Sequence, residues 1–493
     1  MRDIVQCEWR EIHPVQMAFK TDKYYTELAN RVLKVLRDET VHEVFYYDDE
    51  IKDAAIRLTA WFEDICSDLG FWRVVNQTCQ KRYGKPIPFY NTENYTIGEL
   101  NFADVQLMLW DVIKSLNFDS FINPENPAIG KAAYEIYSIF YDEYETAPAT
   151  DELKDYLSND SLGTKYWDTR KAVEWISIDG YFSLNSNMWL EEELDDIEFD
   201  DKEQNGVFKY AIKMNHVFKD RHNLLSLTAA EWLSEVIGRP FSFNAELMEL
   251  RPYNIESRYA SALQLRDLAN NECHIVEEDS FDEKWYDTYG RKIGLSFCTS
   301  LVEFNGKYYQ CGSLITNPPI DFSSDLIRTI HQREKQSETR KANYEQFCKL
   351  SDGAPILFLK GKKQLFKFYT DMCKVSLSAD TKRMIEEDIL GNTENDMVAI
   401  MATPETGTLN ITGYIPAIKA PNNPYYDEKY AKENGSSLLL DTNAIDYESI
   451  CILLKRNYLP DAALRHFGGY ERGRQLLQNN AQFIVDYMFS NHR

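Results

Sequence analysis

The sequence predicts an α+β protein: an N-terminal all-α bundle, a small antiparallel β-barrel or sandwich-like domain, and a mixed α/β C-terminal part. Three observations predict it. Apolar residues recur at helical spacing through the first 164 residues. From Phe241 the spacing turns to alternation, with Asn305-Gly306 set between two alternating runs. Beyond Pro318-Pro319, helical and extended segments intermix. The expected divisions are therefore a helical bundle over 1–164, a helical connection with an acidic loop over 165–240, the β-domain over 241–320, and the mixed region over 321–493.

Taken in order, Asp22 is positioned to cap a helix carrying Tyr25, Leu28, Ala29, Val32, Leu33 and Leu36 on one face. Ile51, Ala54, Ala55, Leu58, Trp61, Phe62, Ile65 and Leu69 form the stripe of the next helix, with Lys52, Asp53, Arg57, Asp64 and Asp68 on its opposite face. Gly70 suits a left-handed helix end, and a helix from about Trp72 to Tyr83 stops at Gly84, Pro86 and Pro88. Phe102, Val105, Leu109, Val112 and Leu116 mark another helix. Pro127 opens one whose inward face is Ala133, Ile136, Tyr137, Phe140 and Tyr144. Thr228 and Glu231 have capping-box spacing ahead of Trp232 and Leu233.

In the β-domain, Leu295–Phe304 and Lys307–Ile315 flank Asn305-Gly306, and Ala260–Arg266 and His274–Glu278 flank Asn270-Asn271. Next come one charged helix over Asp321–Leu350, a strand over Ile356–Leu359 and a hairpin from Met397–Ala402 and Thr408–Ile415. A Pro- and Asn-rich loop follows, then helices over Ile445–Leu454 and Gly473–Phe489. No internal repeat is visible.

The phrases DKYYTELANRVL (Asp22–Leu33), LTAWFEDICSDLGFW (Leu58–Trp72), YGKPIPFY (Tyr83–Tyr90) and PAIKAPNNPYY (Pro416–Tyr426) carry a resemblance. Together they resemble an uncharacterised domain-of-unknown-function family of gut bacteria. The resemblance spans most of the chain and implies a cytosolic bacterial protein. It brings no activity, cofactor or catalytic residue with it.

At 493 residues the chain is long enough for about three domains. Its start, MRDIVQCEWREIHP, lacks the apolar segment of a secretory leader, and no apolar run reaches the roughly 18 residues needed to cross a bilayer. Nine cysteines without a C-x-x-C pair suit reduced thiols, so a cytoplasmic protein without a cofactor is expected. The net charge of −25 disfavours nucleic acid, whose affinity rests on Lys and Arg neutralising phosphates, and it suits a basic protein partner.

Four clusters hold the residue types of a site. The run Glu191–Glu203 carries nine carboxylates, and Asp196, Asp200 and Asp201 are its candidate metal ligands. A calcium loop begun at Asp201 puts Ile212 at the twelfth position, where a bidentate Glu is required, so a solvated acidic loop is expected. Leu326–Phe368 has ten bases against four acids, with Lys360, Lys362, Lys363 and Lys367 as its basic patch. Cys273, His274, Cys298 and Cys311 lack paired ligand spacing; a two-residue turn at Asn305-Gly306 sets Cys298 opposite Ser313 and Cys311 opposite Ser300. Finally, LLLDTNAI (Leu438–Ile445) resembles the opening strand of PIN-type ribonucleases, which makes Asp441 the candidate catalytic residue. Only 52 residues follow it, so Asp441-Thr442-Asn443 reads as a helix cap.

No G-x-S-x-G, H-E-x-x-H or Walker sequence is present. The leading expectation is a non-catalytic cytosolic interaction or adaptor protein that binds another protein. Its alternatives are a metal-dependent hydrolase or nuclease built from scattered carboxylates, and a nucleic-acid-binding regulator working through residues 326–368.

Overall fold

The computed structural model describes residues 2–37, 48–117, 121–195, 202–222, 224–392 and 397–490. It divides into two compact units, Met1–His331 and Gln332–Arg493, and its class is the mixed α+β one expected.

In the first unit the helix Asp48–Ser67 packs against the helices Asp22–Leu36, Phe71–Tyr83 and Phe102–Leu116. Its apolar stripe is buried as the spacing predicts, and Trp61 meets Trp72 edge-on at 5.7 Å while Phe62 stacks on Phe140 at 4.4 Å. The polar face departs from expectation, because Arg57 and Asp64 are buried as well. Asp64 accepts hydrogen bonds from the Gly70 and Trp72 amides at 2.9 and 2.7 Å and from the Tyr181 hydroxyl at 2.9 Å. Gly70 has no side chain with which to cap the helix Phe71–Tyr83, so this carboxylate does so from the neighbouring helix. Burial raises its pKa, and the donors offset only part of that rise. Arg57 pairs with Asp53 at 2.7 Å and donates to the Gly180 carbonyl at 2.8 Å.

Asp22 also departs from its expected role. It is the first helical residue, with Thr21 at the cap position, and its carboxylate is buried against Arg10 at 2.6 Å. At Thr228 the predicted capping box is complete.

The expected acidic loop is partly helical: Glu191, Glu192, Glu193 and Asp195 belong to the helix Leu184–Asp195. That helix keeps Leu184 and Leu190 buried, and its acids lie outside this apolar side. Asp196, Asp200 and Asp201 lie outside the described residues.

The strands are β1 (Arg221–His222), β2 (Leu227–Thr228), β3 (Phe243–Asn244), β4 (Arg251–Arg258), β5 (Ala262–Asp267), β6 (Cys273–Glu277), β7 (Ser296–Phe304), β8 (Lys307–Thr316), β9 (Ile356–Lys360), β10 (Met397–Thr403) and β11 (Gly407–Ile411). Strands β7-β4-β5-β6-β8 pair in that order, and β8 pairs back onto β7, closing a five-stranded barrel, with the short β3 pairing onto the Glu303–Phe304 end of β7. Closure removes the sheet edges, which is how a small β-domain avoids strand addition. Tyr253, Ile255, Leu263, Leu265, Val276, Phe297 and Leu301 fill the core, with Phe281 and Trp285 packed among them. The Trp285 indole N–H donates to Thr316 Oγ1 at 2.7 Å.

The β7–β8 register agrees at Ser300 opposite Cys311 but not at Cys298, which faces Ile315 rather than Ser313. A bulge intervenes, and Gly312 beside it has φ 102°, a value glycine takes readily.

In the second unit the strands pair in the order β11-β10-β9, all antiparallel. Val398, Ile400 and Ala402 pack with Phe347, Leu365 and Phe368. Ala399 and Met401, on the opposite face by alternation, are also fully buried, beside the helix Tyr447–Lys455 and the turn Ile415–Ala417. The Asn-rich loop is fixed by its own amides: Asn423 Nδ2 donates to the carbonyls of Ile415 and Ile418, and Asn422 Nδ2 donates to that of Ile356.

Candidate functional site

The structure scatters the sequence candidates. Leu438–Leu440 form the last turn of the helix Glu428–Leu440 rather than a strand, and Asp441 closes that helix as its C-terminal cap residue. The Asp441 carboxylate accepts from the amides of Asn443 and Ala444 at 3.1 and 3.2 Å and from the Tyr414 hydroxyl at 3.2 Å. Lys360 ends β9, Lys362 pairs with Glu386, and Lys363 and Lys367 stand one turn apart, exposed, on the helix Gly361–Cys373. Cys298 and Cys311 are buried, whereas Cys273 is exposed and donates to Glu256 Oε2 at 2.8 Å. Among the described residues no group of three or more His, Cys, Asp or Glu side chains is placed to hold a metal ion.

Two features that the sequence reading did not single out are better formed. The first lies on the helix Pro127–Glu143 of the first unit. Ala133, Ile136 and Phe140 are buried as expected, but Tyr137 and Tyr144 are only half-buried, which corrects their assignment to the core. They stand in line with Tyr134 and Tyr141, which are 63% and 65% exposed. The spacing i, i+3, i+7, i+10 is a second seam beside the buried one.

Phe102 joins this row, with ring centroids 6.1 Å from Tyr134 and 5.6 Å from Tyr137, and Tyr137 lies 5.9 Å from Tyr141. Partial burial raises the phenol pKa values of Tyr137 and Tyr144, so these two keep their protons and can donate hydrogen bonds. Around it Glu99, Asp142 and Glu145 are exposed, and Glu135 is half-exposed and paired with Lys131 at 3.9 Å. A detectable signal existed: four tyrosines at heptad-like intervals make the helix apolar over more than one face.

The second feature is a cleft of about 840 Å³ in the second unit, within the size range of small-molecule sites. Tyr344, Phe347 and Cys348 of the helix Ile320–Leu350 line it, with Ala354 and Pro355 ahead of β9, Ala402 to Glu405 at the end of β10, and Tyr447, Glu448, Cys451, Ile452, Lys455 and Arg456. Gln482 of the helix Tyr470–Met488 completes it. Tyr447 Oη and Gln482 Nε2 both donate to Asp486 Oδ1, at 2.9 and 3.0 Å, fixing two of the lining side chains. Burial pushes the Cys451 thiol up, and a hydrogen bond with Cys348 raises the Tyr344 phenol. These groups are therefore neutral walls, not nucleophiles.

A family model described as protein of unknown function (DUF3843) matches residues 3–289 and 320–490. No curated protein and no solved structure matches the chain. The segment between the two matched stretches includes the β7–β8 hairpin.

Proposed function

We propose that this chain, which belongs to the DUF3843 family of unknown function, is a non-catalytic interaction protein that seats a basic segment of another protein on the tyrosine row of its helical unit. The observation that carries this reading is the continuous aromatic row of Phe102, Tyr134, Tyr137 and Tyr141, with Phe102 and Tyr137 half-buried and Tyr134 and Tyr141 left exposed, in a chain that buries Trp61, Trp72, Trp110 and Trp232 completely. Tyrosine suits such a surface because it supplies a large rigid contact area, a polar tip and little entropy to lose on binding. The surrounding carboxylates select the sign of the partner. Guanidinium groups gain both from the acids and from the tyrosine faces, roughly 0.5–1 kcal/mol per exposed cation–π contact.

The test is fluorescence anisotropy with two labelled nonapeptides, one containing four Arg among Gly and Ser, the other four Glu. The Arg peptide should bind, and the Tyr134→Ala/Tyr141→Ala variant should bind it about tenfold more weakly, two lost contacts at that strength. Circular dichroism should show the fold unchanged, since both side chains are exposed. A chain of net charge −25 attracts any polycation, so the tyrosines decide the matter. Equal affinity in parent and variant would remove this reading.

A further inference from the structure

We infer that the open face of the β-barrel, centred on Tyr259, Gln264 and Ile275, is a binding site for a neutral oligosaccharide. This site is independent of the tyrosine row and of the protein partner proposed for it. The neighbouring helices cover one side of the barrel and leave another bare. On the β8 side Tyr309 stacks on Tyr166 at 4.0 Å, and Ser313 Oγ donates to the Val207 carbonyl of the helix Lys202–Lys219 at 3.1 Å. On the β5–β6 side Ile275 is 53% exposed, Tyr259 is 49% exposed, and Cys273 is exposed as well.

Register gathers these residues. Gln264 stands opposite Ile275, and Arg266 stands opposite Cys273. Residues directly opposite in antiparallel strands share a face, as do residues two apart in one strand, so all four lie on the bare side. Ser257 Oγ and Tyr259 Oη both donate to Gln264 Oε1, at 2.7 and 3.0 Å, which holds the tyrosine beside the glutamine. Glu256 accepts from Arg266 and from Cys273. The outcome is a row of carboxylate, guanidinium and amide groups bordered by a phenol ring and an isoleucine.

Strand order points to the same face. The barrel runs β4-β5-β6-β8-β7 and closes on β4, with the helix Glu283–Tyr289 between β6 and β7. OB-fold barrels share this order, and they bind oligonucleotides or oligosaccharides on their second and third strands, here β5 and β6, and on the loop between the first and second, here the one holding Tyr259. Strand order leaves the ligand open; charge selects it. An oligonucleotide needs Lys and Arg side chains free to neutralise its phosphates. Arg266 pairs with Glu256, Lys307 pairs with Glu277 at 3.0 Å, and Arg258 Nε donates to the Tyr286 hydroxyl at 3.1 Å. A neutral sugar asks for no free cation. Its hydroxyls both donate and accept, which matches Glu256, Arg266 and Gln264, and its C–H face packs on Tyr259 and Ile275.

The experiment is calorimetric titration of the full chain with neutral hexasaccharides of glucose, xylose, mannose and galactose, and with oligothymidine of the same length. At least one of the sugars should bind, and more tightly than oligothymidine. Tyr259→Ala and Ile275→Glu should each weaken that sugar about tenfold, the loss of one stacking surface or the intrusion of a charge. Circular dichroism should stay unchanged in both, since both side chains are exposed. The Tyr134→Ala/Tyr141→Ala variant should bind the sugar as the parent does, which separates this site from the tyrosine row. No heat from any of the sugars at millimolar concentration, tighter binding of oligothymidine, or a sugar affinity untouched by either substitution would overturn the assignment.

Discussion

Asp104 and His222 show how single buried groups set the response of this protein to pH. Asp104 is buried beneath the Tyr95 hydroxyl and the Asn101 amide, which both donate to it, and burial nonetheless raises its pKa to about 6. His222 is buried against Phe182 with Ser186 Oγ at 3.1 Å; burial, then the nearby His216, lowers its pKa to about 3. The signs oppose. For Asp104 the folded pKa lies above the ordinary 3.8, so its contribution is whole below that value and is lost as pH rises through about 6. For His222 the folded pKa lies below the ordinary 6.5, so its contribution is whole above that value and is lost as pH falls toward 3.

Between pH 4 and 6 the two slopes therefore offset. Asp104→Asn should gain stability relative to the parent as pH rises through that window, by roughly 3 kcal/mol, and His222→Gln should lose a similar amount. Urea unfolding at pH 4, 5, 6 and 7 reads both, and curves parallel to the parent's would refute the assignment. Asp64→Ala is a different kind of change. It strands two amides and a phenol at once, and should cost about 3 kcal/mol or more at any pH where the chain folds.

At the scale of elements, two helical glycines give opposite predictions from one rule. Alanine is favoured over glycine by up to about 1 kcal/mol inside a helix. Gly130 sits in the helix Pro127–Glu143, where an added Cβ meets nothing within 4 Å, so Gly130→Ala should raise stability by that amount. Gly473 sits in the helix Tyr470–Met488, where the same atom would lie 2.0 Å from the Leu464 carbonyl oxygen. Backbone must move there, and Gly473→Ala should cost about 3 kcal/mol despite its better propensity. Thermal unfolding of the two variants decides whether helix preference or tertiary contact governs each site.

The same contrast explains what was legible in the sequence. Periodicity located the helices and the Asn305-Gly306 hairpin because those patterns are local. It missed the roles of Asp64 and Arg57, since a buried charge is defined by partners distant in the chain, Trp72 and Tyr181 for one and Gly180 for the other. It misplaced Tyr137 and Tyr144 because an aromatic at helical spacing reads as core whether or not another element covers it. The choice between barrel and sandwich stayed open for a related reason: β6 meets β8 through the parallel pairing Val276 with Tyr308, which no local pattern announces. The cleft joins residues from Tyr344 to Gln482, and no stretch of sequence announces it.

Over the whole molecule the governing quantity is the net charge of −25. Exposed pairs such as Lys432 with Glu428 and Arg383 with Glu387 contribute little each, roughly 0.2–1 kcal/mol, and salt weakens them. The acids left over after such pairing repel one another, and salt relieves that repulsion as the Debye length falls from about 30 Å at 0.01 M to about 8 Å at 0.15 M. With 79 acids against 54 bases, the repulsion outweighs the pairs, so the melting temperature should rise by several degrees across that range. Binding of the Arg peptide to the tyrosine row should weaken over the same range, because there the acids attract rather than repel. A melting temperature that falls with salt would mean that the ion pairs dominate, and the acidic excess would then have no hold on stability.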